Sequence, residues 1–529
     1  MGATWAGALH VLFNSYLFLF VFFPVALSLY LFAGRWGEGA RLVTILVASA
    51  VFYAAWDVRF LALLGGSILA NFMVGRFLIQ AVEDDQVRRT RLLLGLGVAA
   101  NLLTLGIFKY ANFFIANVNA LSGSDIVLGH IVLPLGISFF TFEQIGYLVD
   151  IRRGFHYRAD LLRYAVFVSF FPRLVAGPIL RYGEIAPQLE SGAQTRSRSE
   201  DIAVGLTIFV IGLAKKAALA DGIAPYVAPV FGSAAHGVPV DLFVAWAGAL
   251  AYTCQLYFDF SGYSDMAIGA ARCFGIRFPM NFNSPYKSSS IIEFWRRWHM
   301  TLSRFLRDYL YISLGGNRRG PVRRYANLVL TMLLGGLWHG ANWTFVAWGG
   351  LHGLYLVINH GWHALRRSLS AAEHRPSAAG RIIGVVLTFL AVVVAWIFFR
   401  APTFAAAIDI LAGMVGLHGA TIPAALASRF APAWPVLHAL GVTVASGDGA
   451  KTVEVWCWIF GLMAIAFFGP NTQEIMSRFE PVLEMSSHGA GGPRLAWRPS
   501  LRWAIAGGAV AFLGIISITR VSEFLYWQF

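Results

Sequence analysis

The sequence predicts an all-α polytopic membrane protein, and three observations carry that expectation. The 529 residues are 57% hydrophobic and only 13% charged, about half the ~25% charge of a soluble domain. Mean hydropathy is +0.63. Apolar runs near the ~20 residues that cross a bilayer as a helix recur along the whole length. A water-soluble globule is excluded, and residues 1–529 read as a single membrane domain.

The apolar segments, taken in order, are Tyr16–Phe32, Leu42–Trp56, Phe60–Leu78, Leu92–Phe108 and Leu133–Val149. They continue as Ile202–Ala214, Leu242–Phe258, Leu328–Trp338, Trp343–Ile358, Ile382–Phe399, Trp456–Phe468 and Trp503–Ile518. Several are short for a straight crossing, and irregular backbone is tolerated where protein buries it. The expectation is therefore roughly 11–13 transmembrane helices, with one or two more re-entrant or interfacial. The first run is followed by many others and by no small-residue cleavage site, so it reads as a retained span.

The net charge of +14 would suggest nucleic acid in a soluble chain. Here the basic residues sit in short loops: Arg152–Arg163, Arg318–Arg324 with four arginines in seven residues, Arg366–Arg381 and Arg494–Arg502. That is the positive-inside pattern, which places these loops in the cytoplasm and makes the lipid bilayer, not nucleic acid, the partner. Leu417–Lys451 is rich in Ala, Gly and Pro and nearly free of positive charge, so it reads as an extracytoplasmic loop. Cys254, Cys273 and Cys457 are far apart, which indicates neither a disulfide framework nor a zinc site. His360 and His363 have a spacing that suits one helical face, but no third ligand accompanies them, so no metal is expected.

Ile291–Ile312 differs from the rest. Phe294, Trp298, Thr301, Phe305 and Asp308 recur at helical spacing, and Glu293, Arg296, Arg297, Arg304 and Arg307 crowd the other side. The pattern predicts one basic, aromatic amphipathic helix at a membrane interface or lining a polar funnel. His299 falls on its apolar stripe, between Trp295 and Leu302. His339 ends the next apolar segment, flanked by Gly335, Gly336 and Gly340, which allow close approach of a ligand or backbone.

These residues resemble the membrane-bound O-acyltransferases, and within them the bacterial alginate O-acetylation branch. The likeness is a series of motifs in order: Leu133–Ile151, Phe170–Leu189, Ile211–Asp221, Tyr257–Tyr286, Phe294–Gly320 and Gly335–Gly353. It runs from about Tyr16 to about Arg400 and is most specific over residues 133–353, the stretch holding the catalytic-core motifs. The resemblance implies a mostly helical ring around a thinned centre, with a funnel leading to a histidine that matches His339. His299 matches the family's second characteristic histidine. It also implies transfer of an acyl group from a cytoplasmic thioester to an acceptor outside the cell, completed by export-side partner proteins. The chain departs from the family pattern before Leu12 and at Leu417–Lys451, which leaves the polymer open.

Acyl transfer from a thioester needs a base, a stabilised oxyanion and exclusion of water. A histidine in an apolar segment is costly, which makes His339 a functional candidate rather than a core histidine bonded to backbone. His299 would orient the donor or share base duty, or else make a structural hydrogen bond. The motif GxSxG is absent, so no covalent enzyme intermediate is expected. Asn342 is either an oxyanion donor or a helix N-cap. Trp338 and Trp298, beside the two histidines, are further substrate-binding candidates. Asp259, Ser261 and Asp265 are polar at membrane depth and either functional or bonded within the bundle. Lys109, Glu143 and Asp150 read as ion-pairing residues. Arg296 and Arg297, with Arg304 and Arg307, would attract the phosphates of a thioester such as acetyl-coenzyme A, or lipid headgroups. No bound cofactor is expected; acetyl-coenzyme A is the donor substrate. The acceptor is an exopolysaccharide, alginate-like first and cellulose-like second, or a partner acetylation protein. D-alanyl transfer, peptidoglycan acylation and transport without chemistry are the rival readings. The location implied is the bacterial inner membrane.

Overall fold

Each predicted apolar segment holds a helix in the computed structural model, which describes residues 12–129, 131–155, 160–190, 198–369, 377–429, 431–483 and 495–519. Parts of the basic loops, at 156–159, 370–376 and Arg494, lie outside the described residues. Six described helices are long and apolar enough to cross a bilayer: Phe18–Trp36, Arg59–Glu83, Val87–Ser122, Arg198–Ala235, Ala378–Arg400 and Gly449–Phe468. Phe404–Met414 and Leu501–Ile516 are shorter apolar helices. The helices of the other predicted spans carry buried polar groups, among them Ser49, Glu143, Asp259, Asn327 and His352.

The described residues form two compact units. The first holds residues 1–214, 262–281 and 472–518. Its core is aromatic: Phe171 meets Phe22 at 5.2 Å and Phe274 at 5.7 Å, and Phe209 stacks on Phe23 at 5.7 Å. Charges inside it are paired, as burial of a lone charge would demand. Arg173 pairs with Glu143, whose carboxylate also accepts from the Leu180 amide at 3.0 Å. Arg272 meets Asp201 at 2.8 Å. The expected pairing of Glu143 and Asp150 with arginines is therefore met, Asp150 by Arg153 at 3.8 Å. Lys109 donates to Ser138 at 3.3 Å.

The second unit holds residues 215–261 and 282–471 among its described part. At its centre is an antiparallel hairpin, Gly320–His339 and Trp343–Leu369, joined by the turn Gly340–Asn342. Trp343–Leu369 buries one stripe, Phe345, Trp348, His352 and Leu356, at the 3–4 spacing of a helix face. The two backbones touch where side chains are missing. A Cβ on Gly336 would lie 2.2 Å from the Phe345 carbonyl oxygen, and one on Gly349 2.2 Å from that of Met332. Small residues are what allow membrane helices such proximity. The helix Ala378–Arg400 supplies Trp396 and Phe399 to the same core.

Two local findings differ from the sequence expectation. Leu417–Lys451 contains two short parallel strands, Ala420–Pro423 and Val442–Ala445, paired in register from Ala420 and Val442. Thr421 is tied to the Asp241 carboxylate, which also accepts from the amides of Phe243 and Val244.

The second is a correction: Ile291–Ile312 is not one helix. Ile291–Trp295 stops, a turn follows, and Met300–Phe305 begins a new helix that continues as a wider π-turn through Tyr311. The cause is a competing partner. The Arg297 carbonyl, which a continuous helix would give to residue 301, instead accepts from the Asn283 amide at 2.9 Å. Arg297 also folds back onto Glu293 at 2.8 Å and donates to the Asn283 carbonyl.

The hairpin contact makes a direct prediction. Gly349→Ala overpacks the interface, at a cost of about 1–3 kcal/mol, whereas Gly361→Ala on the same helix faces open space. Thermal unfolding in detergent should show a lowered midpoint for the first variant and none for the second.

Candidate active site

The break in the chain sets His299. Its backbone adopts φ 40° and ψ 54°, the left-handed region, which costs a non-glycine residue energy and persists where the surroundings over-determine it. The side chain is fully buried. Its ring meets Phe260 edge-on at 4.7 Å and Phe282 at 6.4 Å. His339 is the last residue of its helix and is also buried. Its ring lies 5.1 Å from Trp348, 5.2 Å from Phe399 and 5.0 Å from Trp338. The two imidazole centres are 6.4 Å apart. A small void of about 10 Å³ adjoins His339, bounded also by Leu256, Phe260, Trp298, Trp348, Trp396 and Phe399. That is about the space of one water molecule, and His339 itself is 6% exposed.

Of the other predicted residues, Trp298 lines this void, and Trp338 packs beside the two histidines. Trp338 lies 6.4 Å from His299, and Trp298 packs on Trp396 at 4.9 Å and Phe282 at 5.1 Å. Asn342 caps the Trp343 helix: its carbonyl oxygen accepts from the Thr344 amide at 3.0 Å, and its amide donates to Pro402 at 2.9 Å. Arg297 is engaged by Glu293 and Asn283 as described. Burial pushes the Glu293 carboxyl up, but hydrogen bonds from Ser289 and Arg297 outweigh it and hold it below the usual range. Arg307 pairs with Asp308 at 2.6 Å, and Arg296 is exposed. Ser261 is buried at the edge of the second unit. Asp265 belongs to the first unit, where Thr472 and Gln473 donate to it at 2.5 and 3.0 Å.

Two groups escaped the sequence reading. Lys216, 1% exposed, sits between two carboxylates, Asp259 at 2.5 Å and Asp221 at 2.7 Å. Asp259 thereby has a structural partner next to Phe260, the residue that walls His299. A lysine inside an apolar segment was the available signal. His352 is fully buried; its Nδ1 accepts from Trp295 Nε1 at 3.3 Å, and its ring lies 4.9 Å from Trp348. Trp348 thus stands between His352 and His339.

Removing the buried cation leaves two carboxylates facing each other. Lys216→Met should cost about 3–5 kcal/mol, seen as a lower unfolding midpoint. The triple change Lys216→Met, Asp221→Asn, Asp259→Asn should recover most of it; no recovery would mean that packing, not charge, is what Lys216 supplies.

Comparison with known proteins bears on the same region. The sequence model of the family described as MBOAT, membrane-bound O-acyltransferase family, matches residues 151–401. The chain is similar to a peptidoglycan O-acetyltransferase of Helicobacter pylori, 41% identical over 440 residues, covering 78% of this chain and 81% of that protein. It is 46% identical over 399 residues to a probable alginate O-acetylase of Pseudomonas aeruginosa, covering 74% of this chain and 72% of that one. A teichoic acid D-alanyltransferase of Streptococcus thermophilus is 28% identical over 282 residues, covering 50% of this chain and 68% of that protein.

Proposed function

The chain belongs to the membrane-bound O-acyltransferase family, and from that premise we propose that it passes an acetyl group from cytoplasmic acetyl-coenzyme A, across the bacterial inner membrane, toward an extracytoplasmic polysaccharide. It is a multi-pass membrane O-acyltransferase. The observation that carries the rest is the burial of His299 and His339, ring centres 6.4 Å apart, among aromatic side chains.

His339 is the base in this reading. It takes the proton of the incoming hydroxyl as the oxygen attacks the thioester carbonyl; the tetrahedral intermediate then expels the thiolate, which recovers the proton from the imidazolium. His299 assists by holding the acyl donor. The aromatic walls keep water from competing for the acyl group. Asn342, with its amide already committed to Pro402, serves as a cap that fixes the turn after His339 rather than as an oxyanion donor.

The acceptor we propose first is an alginate-like exopolysaccharide or the export-side protein that acetylates it. The similarity to a peptidoglycan O-acetyltransferase makes peptidoglycan the second. D-alanyl transfer has the weaker relative. The test is O-acetyl ester on the secreted polymer and on peptidoglycan, in a host lacking the gene and complemented at matched membrane abundance. Wild type should restore ester to one polymer, and His339→Ala should lower it at least ~100-fold, the scale of losing a general base. Full restoration by His339→Ala would overturn the base assignment.

A further inference from the structure

The backbone at His299 is held by a chain of hydrogen bonds that begins far along the sequence. The Asn283 amide donates to the Arg297 carbonyl at 2.9 Å, and Arg297 Nη1 donates back to the Asn283 carbonyl at 3.2 Å. His299 follows one side of this two-way tie and Ser284, at φ 47° and ψ 59°, follows the other. Both are non-glycine residues in the left-handed region, a conformation that persists where neighbours over-determine it. Phe282, next to Asn283, packs against the rings of His299 and Trp298. The side chain of Asn283 is fixed in turn from residues 469–471, which follow the helix Gly449–Phe468. Asn471 Nδ2 donates to Asn283 Oδ1 at 3.0 Å and to Ser284 Oγ at 3.1 Å, and Lys287 Nζ donates to the Gly469 carbonyl at 2.7 Å. Asn283 and Asn471 are both buried. Asn471 lies beyond every motif that carries the family resemblance, the last of which is Gly335–Gly353.

We propose that Asn471 is a positioning residue for His299: acting through Asn283 and Arg297, it fixes the backbone that sets the His299 ring 6.4 Å from that of His339. This rests on the role given to His299 above. Two arguments support it. The Arg297 side of the tie has its own anchor, because Arg297 Nε donates to Glu293 at 3.0 Å and the other Glu293 oxygen accepts from the Ser289 amide at 2.8 Å. The Asn283 side is held by Asn471 at Asn283 itself, and further along by Lys287 on Gly469 and by Tyr286, which donates to the Thr253 carbonyl at 2.7 Å. Taking away Asn471 therefore frees the end of the tie that has no carboxylate behind it, and it leaves the buried Asn283 oxygen without its donor. The strained turn at His299 then loses part of what over-determines it. A displacement of about 1 Å at a site of this kind costs up to ~100-fold in rate.

The test compares the full chain as wild type, Asn471→Ala, Asn471→Ser and His299→Ala, with two readouts. The first is O-acetyl ester in the complemented host at matched membrane abundance. The second is modification of individual histidines by diethyl pyrocarbonate in detergent, read by peptide mass; it reports where the His299 ring sits without any turnover. In wild type, His299 and His352, both fully buried, should resist the reagent. Asn471→Ala should lower ester about tenfold or more and open His299 to modification while His352 stays protected. Asn471→Ser, smaller but still polar, guards against a variant that fails to fold and should move both readouts in the same direction. Ester at the wild-type level in both variants, or a His299 that stays protected in both, overturns the proposal. Equal modification of His299 and His352 means that the unit as a whole has loosened, and overturns it too. Full ester from His299→Ala overturns the reading of His299 on which the proposal rests, and leaves the acyltransferase assignment standing.

Discussion

The contact between Gly336 and Gly349 with the facing backbones is the constraint on which the rest of the second unit depends. It locks the register of the hairpin, and every group of chemical interest on these helices is placed by that register. His339 is set one turn beyond Gly336 and faces Trp348, the neighbour of Gly349. At the other end the same register brings Arg324 to His360. A side chain at either glycine would push the helices apart, and because the helices are stiff, displacement at one contact moves both ends. Asn342 seals the turn between them, spending its hydrogen bonds on the Thr344 amide and the Pro402 carbonyl.

A second constraint comes from the solvent. Within hydrocarbon a polar group must find its partner in the protein, and the buried ion pairs show how the chain does so. Arg173 holds Glu143 and the carbonyls of Phe167 and Val168; Lys216 spans Asp221 and Asp259. These residues fall within the motifs that carry the family resemblance, yet what they do here is hold backbone and helices in place. Presence in a motif therefore separates into two roles. Asp259 anchors, while Phe260 beside it forms the wall against His299.

Much of this was legible in the sequence, and the limits have a common cause. Apolar runs foretold helices because burial on lipid and protein sides selects the same residue types over a whole turn. The burial of His299 followed from its place on an apolar stripe. The break at His299 did not, because the group that ends the helix, the Asn283 amide, lies fourteen residues upstream of Arg297 and leaves no local mark on the periodicity. For the same reason Arg296 and Arg297, adjacent and chemically alike, could not be told apart: one is exposed and the other tied to Glu293. The pair Lys216 and Asp259 is separated by 43 positions. Spacing identifies what shares a helix face; it cannot identify what a fold brings across.

The composition of the pocket also bears on the rival transport reading. A route for an ion or a charged donor needs polar groups along its length to replace water. Around His339 the walls are Leu256, Phe260, Trp298, Trp348, Trp396 and Phe399, which offer a charged solute little. They suit the acyl transfer proposed above better, because such a transfer has to keep water from taking the acyl group. Along the hairpin itself Arg324, His360 and Arg367 lie at the end opposite His339, and the apolar walls named above close around His339.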